Sequence, residues 1–113
     1  MKFLCLAYGP EDGLGSLTEE EKEKAFARDE VIRSQGHLMS AVKPEVTTVR
    51  NWTGEPDVTD GPGTIEALLL AGFSVIEADS VQDVVNLVSG TPCARAKGYI
   101  EIRPLWNFET SDA

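Results

Sequence analysis

Two segments of this chain are apolar on both of their alternating faces, and that feature limits the possible folds more sharply than any other. In residues 2–8, Phe3, Cys5 and Ala7 alternate with Leu4, Leu6 and Tyr8. In residues 70–78, Phe73 and Val75 fall on one side, with Leu70, Ile76 and Ala78 on the other. A strand turns successive side chains to opposite faces, so a strand with one wet face carries polar residues at every second position. Neither segment does. Both are predicted to be central strands covered on two sides.

The remaining elements are read from caps, breaks and periodicity. Ser16-x-x-Glu19 and Thr18-x-x-Glu21 both have the pattern of a capping box, and Glu19-Glu20-Glu21 suits the positive end of a helix. This helix is predicted to run to Gln35 and stop at Gly36. Its apolar face is thin: Ala25, Phe26 and Ile32, interrupted by Asp29, an acid worth testing if it proves buried. Residues 46–52 are rich in β-branched and aromatic types and read as a strand. A turn at Thr53-Gly54 leads to a short return strand at 56–59, placed at an edge by Pro56. After the break at Asp60-Gly61-Pro62-Gly63, residues 64–69 are predicted as one helical turn. In 81–89, Val81, Val84, Val85 and Val88 follow helical spacing behind Ser80, and Thr91-Pro92 ends the helix. A last strand spans 99–103, with Ile100 and Ile102 inward; the tail from Asn107 has no pattern and is expected to fray.

The order β-α-β-β-β-α-β predicts one α+β domain over residues 1–113, a ferredoxin-like antiparallel sheet with two helices on one face. Two helices cover only one face. The other needs a cover as well, and a second copy of the chain is the simplest, so a homodimer is expected.

Ten basic against nineteen acidic residues give a net charge of −9. No basic stripe is present to displace counterions from phosphate, so neither nucleic acid nor an anionic membrane surface is an expected partner. The apolar start stops at Gly9-Pro10, too short for a secretory signal, and a cytoplasmic location is expected. Cys5 and Cys93 make no disulfide framework. With a single histidine in the chain, neither a metal site nor any other cofactor is expected.

The run Thr47-Thr48-Val49-Arg50, the turn at Gly54, and Val58-Thr59-Asp60-Gly61-Pro62 resemble the signature of the YCII-related family in its DGPF branch. Lys2-Phe3-Leu4-Cys5-Leu6, Gly36-His37-Leu38, Gly72-Phe73 and Glu101-Ile102-Arg103-Pro104 extend the likeness over nearly the whole chain. The resemblance implies a ferredoxin-like fold whose paired sheets form a dimeric α+β barrel, and small-molecule chemistry of lyase or isomerase type. It also implies a His/Asp pair whose aspartate is Asp60. The wider group's histidine lies near the start of the first helix, where this chain has Glu and Lys, so His37 does not inherit the role directly. After Pro62 the chain departs from the branch: Gly63 stands for an aromatic, and Ile65, Ala67 and Leu68 stand where polar residues are usual.

Each candidate residue has two readings. His37 titrates near neutrality and could assist a proton transfer; as a cap on the helix C-terminus it would be structural, and this second reading is the stronger. Asp60 serves either as a general base or as a turn residue bonding the backbone after it. Arg50 and Arg103 could hold a small anionic molecule by its carboxylate, or form ordinary salt bridges with Glu101, Glu77 or Asp57. Trp52 and Trp106 suit an interface or a loop contact. Cys93, near Arg95 and Lys97, would be acidified by their charge. Two functions follow. In the first, the chain is a small-molecule enzyme with Asp60 and His37 as catalytic pair and Arg50 or Arg103 binding substrate. In the second, it is a non-catalytic metabolite-binding or regulatory module.

Overall fold

A computed structural model describes residues 1–63 and 68–106. Its strands are β1 (Lys2–Gly9), β2 (Leu38–Ala41), β3 (Thr47–Arg50), β4 (Asp57–Asp60), β5 (Leu69–Glu77) and β6 (Tyr99–Pro104). Its helices are α1 (Glu19–Ser34), α2 (Val81–Val88) and α3 (Pro92–Arg95). Of the two possible capping boxes the second forms. Thr18 Oγ1 accepts from Glu21 N–H at 3.1 Å, and Glu21 Oε1 accepts from Thr18 N–H at 2.9 Å. These bonds, led by the one from the Thr18 backbone, hold the Glu21 carboxyl below its usual range. Gly36, at φ +88°, takes the left-handed conformation that ends α1.

β1 and β5 pair antiparallel at the centre of a four-stranded sheet of order β2-β5-β1-β6. Every neighbouring pair is antiparallel, an arrangement compatible with a ferredoxin-like fold. One face carries Phe3, Cys5 and Ile76, which pack with Ile32 of α1 and with Val84 and Val88 of α2 into the buried core. Ile100 and Ile102 pack against this core from β6, as their alternation predicts. Arg28 of α1 donates to the carbonyls of Asn86 and Leu87 at 3.0 and 3.1 Å, tying α1 to the C-terminal end of α2.

Three expectations about the elements are corrected. The segment 38–41 is an edge strand; Leu38-Met39-Ser40-Ala41 contains no β-branched or aromatic residue to reveal it. The hairpin β3–β4 does not join the main sheet but forms a two-stranded sheet of its own, with both strands open to solvent. Pro92, expected to end α2, does not do so: α2 stops at Val88, and Pro92 opens α3 as its first residue. The helical turn expected at 64–69 and the tail from Asn107 lie largely or wholly outside the described residues, and Leu69 already belongs to β5.

Among the described residues, no helix packs on the second face of the sheet. Register places Leu38, Val75, Leu4 and Arg103 in one row across it, and Ser40, Phe73, Leu6 and Glu101 in the next. A shift between Ala7 and Tyr8 leaves Ala71 as an extra residue in β5 and pairs Tyr8 with Leu70. This bulge moves Leu70 onto the open face, not the helix-covered one predicted from simple alternation. Tyr8 and Tyr99 meet there with ring centroids 5.2 Å apart. The chain exposes 8097 Å², against about 6,100 Å² expected for a folded monomer of its mass. Its radius of gyration, 16.2 Å, likewise exceeds the roughly 13 Å of a compact domain of this length.

Asp29 sits on the inner face of α1 between the buried Ala25 and Ile32, and is itself half-buried. Burial raises its carboxyl pKa; Arg33 opposes the rise and Glu30 adds to it. A folded pKa above the unfolded one means that the neutral acid suits the fold. The penalty is absent below the unfolded pKa and grows as pH rises through the folded one. Asp29→Asn should therefore raise the thermal unfolding midpoint at pH 7, and this gain should shrink towards zero below about pH 3.9, the ordinary aspartate value. Equal gains at both pH values would contradict the assignment.

Candidate functional site

The hairpin positions the Asp60-Gly61-Pro62-Gly63 loop through three hydrogen bonds. Gly61 N–H donates to Val46 C=O at 2.8 Å, Thr48 Oγ1 to Gly61 C=O at 2.6 Å, and Arg50 Nη2 to Gly63 C=O at 2.8 Å. Thr48 and Arg50 alternate along β3 on its less exposed side, so one strand face holds the whole loop. Gly61 adopts φ +114°, outside the range of ordinary L-residues, which explains the glycine there.

Held this way, the loop forms one wall of a cleft of about 890 Å³ at the root of the hairpin. Pro62, Gly63, Val46 and Thr47 line it from the hairpin, and Tyr8 and Leu70 from the end of the main sheet. Val42, Leu14, Leu68 and Leu69 add further apolar surface, while Glu11, Lys43 and Glu45 bring charge. Among the described residues that line it, Lys43 is the sole lysine or arginine. Leu68 is part of this apolar lining.

The four candidate site residues divide between the hairpin, with Asp60 and Arg50, and the far end of the main sheet, with His37 and Arg103. Asp60, the register partner of Thr47, is exposed at the end of β4 beside the cleft and does not line it. Arg50 is near it but is engaged with Gly63, and its guanidinium carbon lies 6.0 Å from the centroid of the exposed Trp52 ring. His37 lies beyond the far end of β5, where its Nδ1 accepts a long hydrogen bond, 3.4 Å, from Glu77 N–H. Arg103 is on the open face, opposite Leu4 and 3.5 Å from Glu101, one of the salt-bridge partners considered for it. The nine residues of β5 separate the hairpin root from Glu77, on the order of 25 Å at about 3.3 Å per residue. Within one chain, His37 and Asp60 do not meet.

Cys93 lines the cleft, and its thiol is shifted opposite to the expectation from Arg95 and Lys97. Burial raises it, and the charge of Asp29 raises it further. Arg95 is instead paired with Glu21 at 3.0 Å. The sequence leads to the expectation of a pocket beside the sheet near Asp60-Gly61-Pro62, but the lining of the cleft escapes it, because most of that lining is apolar loop and strand-end residue with no motif of its own. No group of three or more His, Cys, Asp or Glu among the described residues is placed to hold a metal ion. No helix among them is long and apolar enough to cross a membrane.

The loop geometry predicts a local effect of mutation. A two-stranded sheet is marginal by itself, so damage at Gly61 should loosen the hairpin before the main sheet. Gly61→Ala should cost about 1–3 kcal/mol locally, speeding amide exchange in β3 and β4 by roughly 5- to 150-fold while core amides of β1 and β5 stay protected. Unchanged exchange in the hairpin would show that the backbone at residue 61 is not restrained.

No curated protein matches the chain. The family profile of the YCII-related domain matches residues 1–109, nearly the full length and including every element around the cleft. The chain belongs to the YCII-related domain family.

Proposed function

We propose that this YCII-related chain binds a small, mainly apolar molecule in the cleft at the hairpin root, and does so as a pair of identical chains. A volume of about 890 Å³ lies within the roughly 300–1,000 Å³ of small-molecule sites. The observation that carries the reading is the lining itself: apolar walls from two sheets, with Asp60 and Arg50 beside the cleft and not in it. Binding needs shape and a few orienting groups. Proton transfer by Asp60 would need its carboxylate within hydrogen-bond reach of the ligand.

The acid–base alternative, a lyase or isomerase using Asp60 and His37 with Arg50 or Arg103 on an anionic substrate, has a stricter requirement. Residues of the hairpin and residues at the far end of the main sheet can act together only if a second chain brings its own set alongside. The open apolar face favours such a pairing, with Leu4, Leu6, Phe73 and Val75 at its centre and Arg103 on its edge strand.

A thermal-shift screen of a metabolite library against wild type, Val46→Glu and Asp60→Asn separates these readings. A ligand at 100 times its dissociation constant adds about 2.7 kcal/mol to the folded state, several degrees for a domain of this size. The binding reading predicts hits that disappear with Val46→Glu and persist with Asp60→Asn. Hits abolished by Asp60→Asn would transfer the site to the acid–base reading, and hits indifferent to both substitutions would remove the cleft from either.

A further inference from the structure

A second pocket, of about 230 Å³, lies between α1 and the helix-covered face of the sheet. It exists because the residues beneath this part of α1 are small: Ala7, Gly72, Ser74 and Ala41. Phe26, Asp29 and Arg33 line it from α1 and Met39 from β2, while Ala71, Pro92 and Cys93 form a wall shared with the larger cleft. Its size is below the roughly 300 Å³ where drug-sized sites begin, so an occupant would be a compact molecule with a single ring or a short branched body.

Asp29 is unusual in this setting. A half-buried carboxylate replaces an apolar side chain on the inner face of a helix, and among the described residues no hydrogen bond reaches it. Half-buried, the Asp29 carboxylate keeps some contact with solvent and bears part of the desolvation cost that a hydrogen-bond donor would offset. Arg33 lies one turn along α1 and is bonded to Glu30, which uses part of its five-donor guanidinium. One acceptor and one donor therefore line the same small pocket. An ammonium ligand would satisfy Asp29 and be repelled by Arg33; a carboxylate ligand would meet the reverse. A hydroxyl can donate to the first and accept from the second.

We propose that this pocket is a binding site for a small uncharged hydroxyl compound, an alcohol or phenol, whose hydroxyl bridges Asp29 and Arg33 while its apolar body lies over Ala7, Gly72 and Met39. The site is separate from the hairpin-root cleft and does not depend on what the cleft binds. Burial of Asp29, which already raises its carboxyl, is the condition under which one hydrogen bond from a neutral ligand counts most.

Phenol titrated into the isotope-labelled full chain, followed by amide NMR, tests the proposal. Saturable shifts are expected at Ala7, Gly72 and Thr91, with benzylamine and benzoate binding at least about tenfold more weakly, the difference made by one good hydrogen bond or one charge repulsion. Asp29→Leu should weaken phenol about tenfold or more, and Arg33→Gln, an exposed substitution that leaves the fold intact, several-fold. Val46→Glu should leave phenol binding unchanged, which keeps this site distinguishable from the cleft. Three outcomes would overturn the proposal: equal phenol affinity in wild type and the Asp29 and Arg33 variants, equal affinity for the charged analogues, or shifts confined to Val46, Thr47 and Gly63.

Discussion

The pairing of β1 with β5 organises the molecule. Both strands are apolar on two faces, and the register that aligns Phe3 with Ile76 also aligns Leu4 with Val75 and Leu6 with Phe73. One set of contacts cannot be made without the other. The helices cover the first set, and the core of Phe3, Cys5, Ile32, Ile76, Val84 and Val88 results. The second set forms a continuous apolar face, extended by Leu38, Leu70, Tyr8 and Tyr99, which the described residues of a single chain leave open. The excess surface and the large radius of gyration agree with a sheet covered on one side and a hairpin standing apart.

The same central pair fixes where ligands could bind. At one end of β5 the bulge at Ala71 breaks the ladder, and the shared wall of both pockets begins there. The larger cleft opens towards the hairpin, the smaller pocket beneath α1. At the other end, the His37 imidazole accepts a hydrogen bond from the Glu77 N–H. The length of β5 is therefore what separates the candidate acid–base pair, and any joint action of its members becomes a question about two chains.

Much of the fold was legible because its signals are local and strong. The two-faced strands, the capping box at Thr18 and Glu21, the stop at Gly36 and the valine stripe of α2 each follow from a few neighbouring residues. What escaped was non-local. β2 is recognisable only by its partner β5, since nothing in Leu38-Met39-Ser40-Ala41 favours a strand. The separation of the hairpin from the main sheet depends on how the chain enters and leaves it. The face occupied by Leu70 was misjudged because one extra residue reverses the alternation. Of the candidate site, Asp60 and its loop were legible as a turn, and Asp29 as an acid out of place on a helix face. The lining of either pocket was not, because small and apolar residues at strand ends carry no pattern until the fold assembles them.

The central claim is that the open sheet face is sealed by a second copy of the chain. Sedimentation equilibrium of wild type beside Leu6→Lys tests it directly. The account predicts a wild-type mass twice the 12.3 kDa of one chain, falling to that of one chain when a charge is placed at the centre of the face. A wild-type particle of 12.3 kDa, well folded up to the highest concentrations, would contradict it.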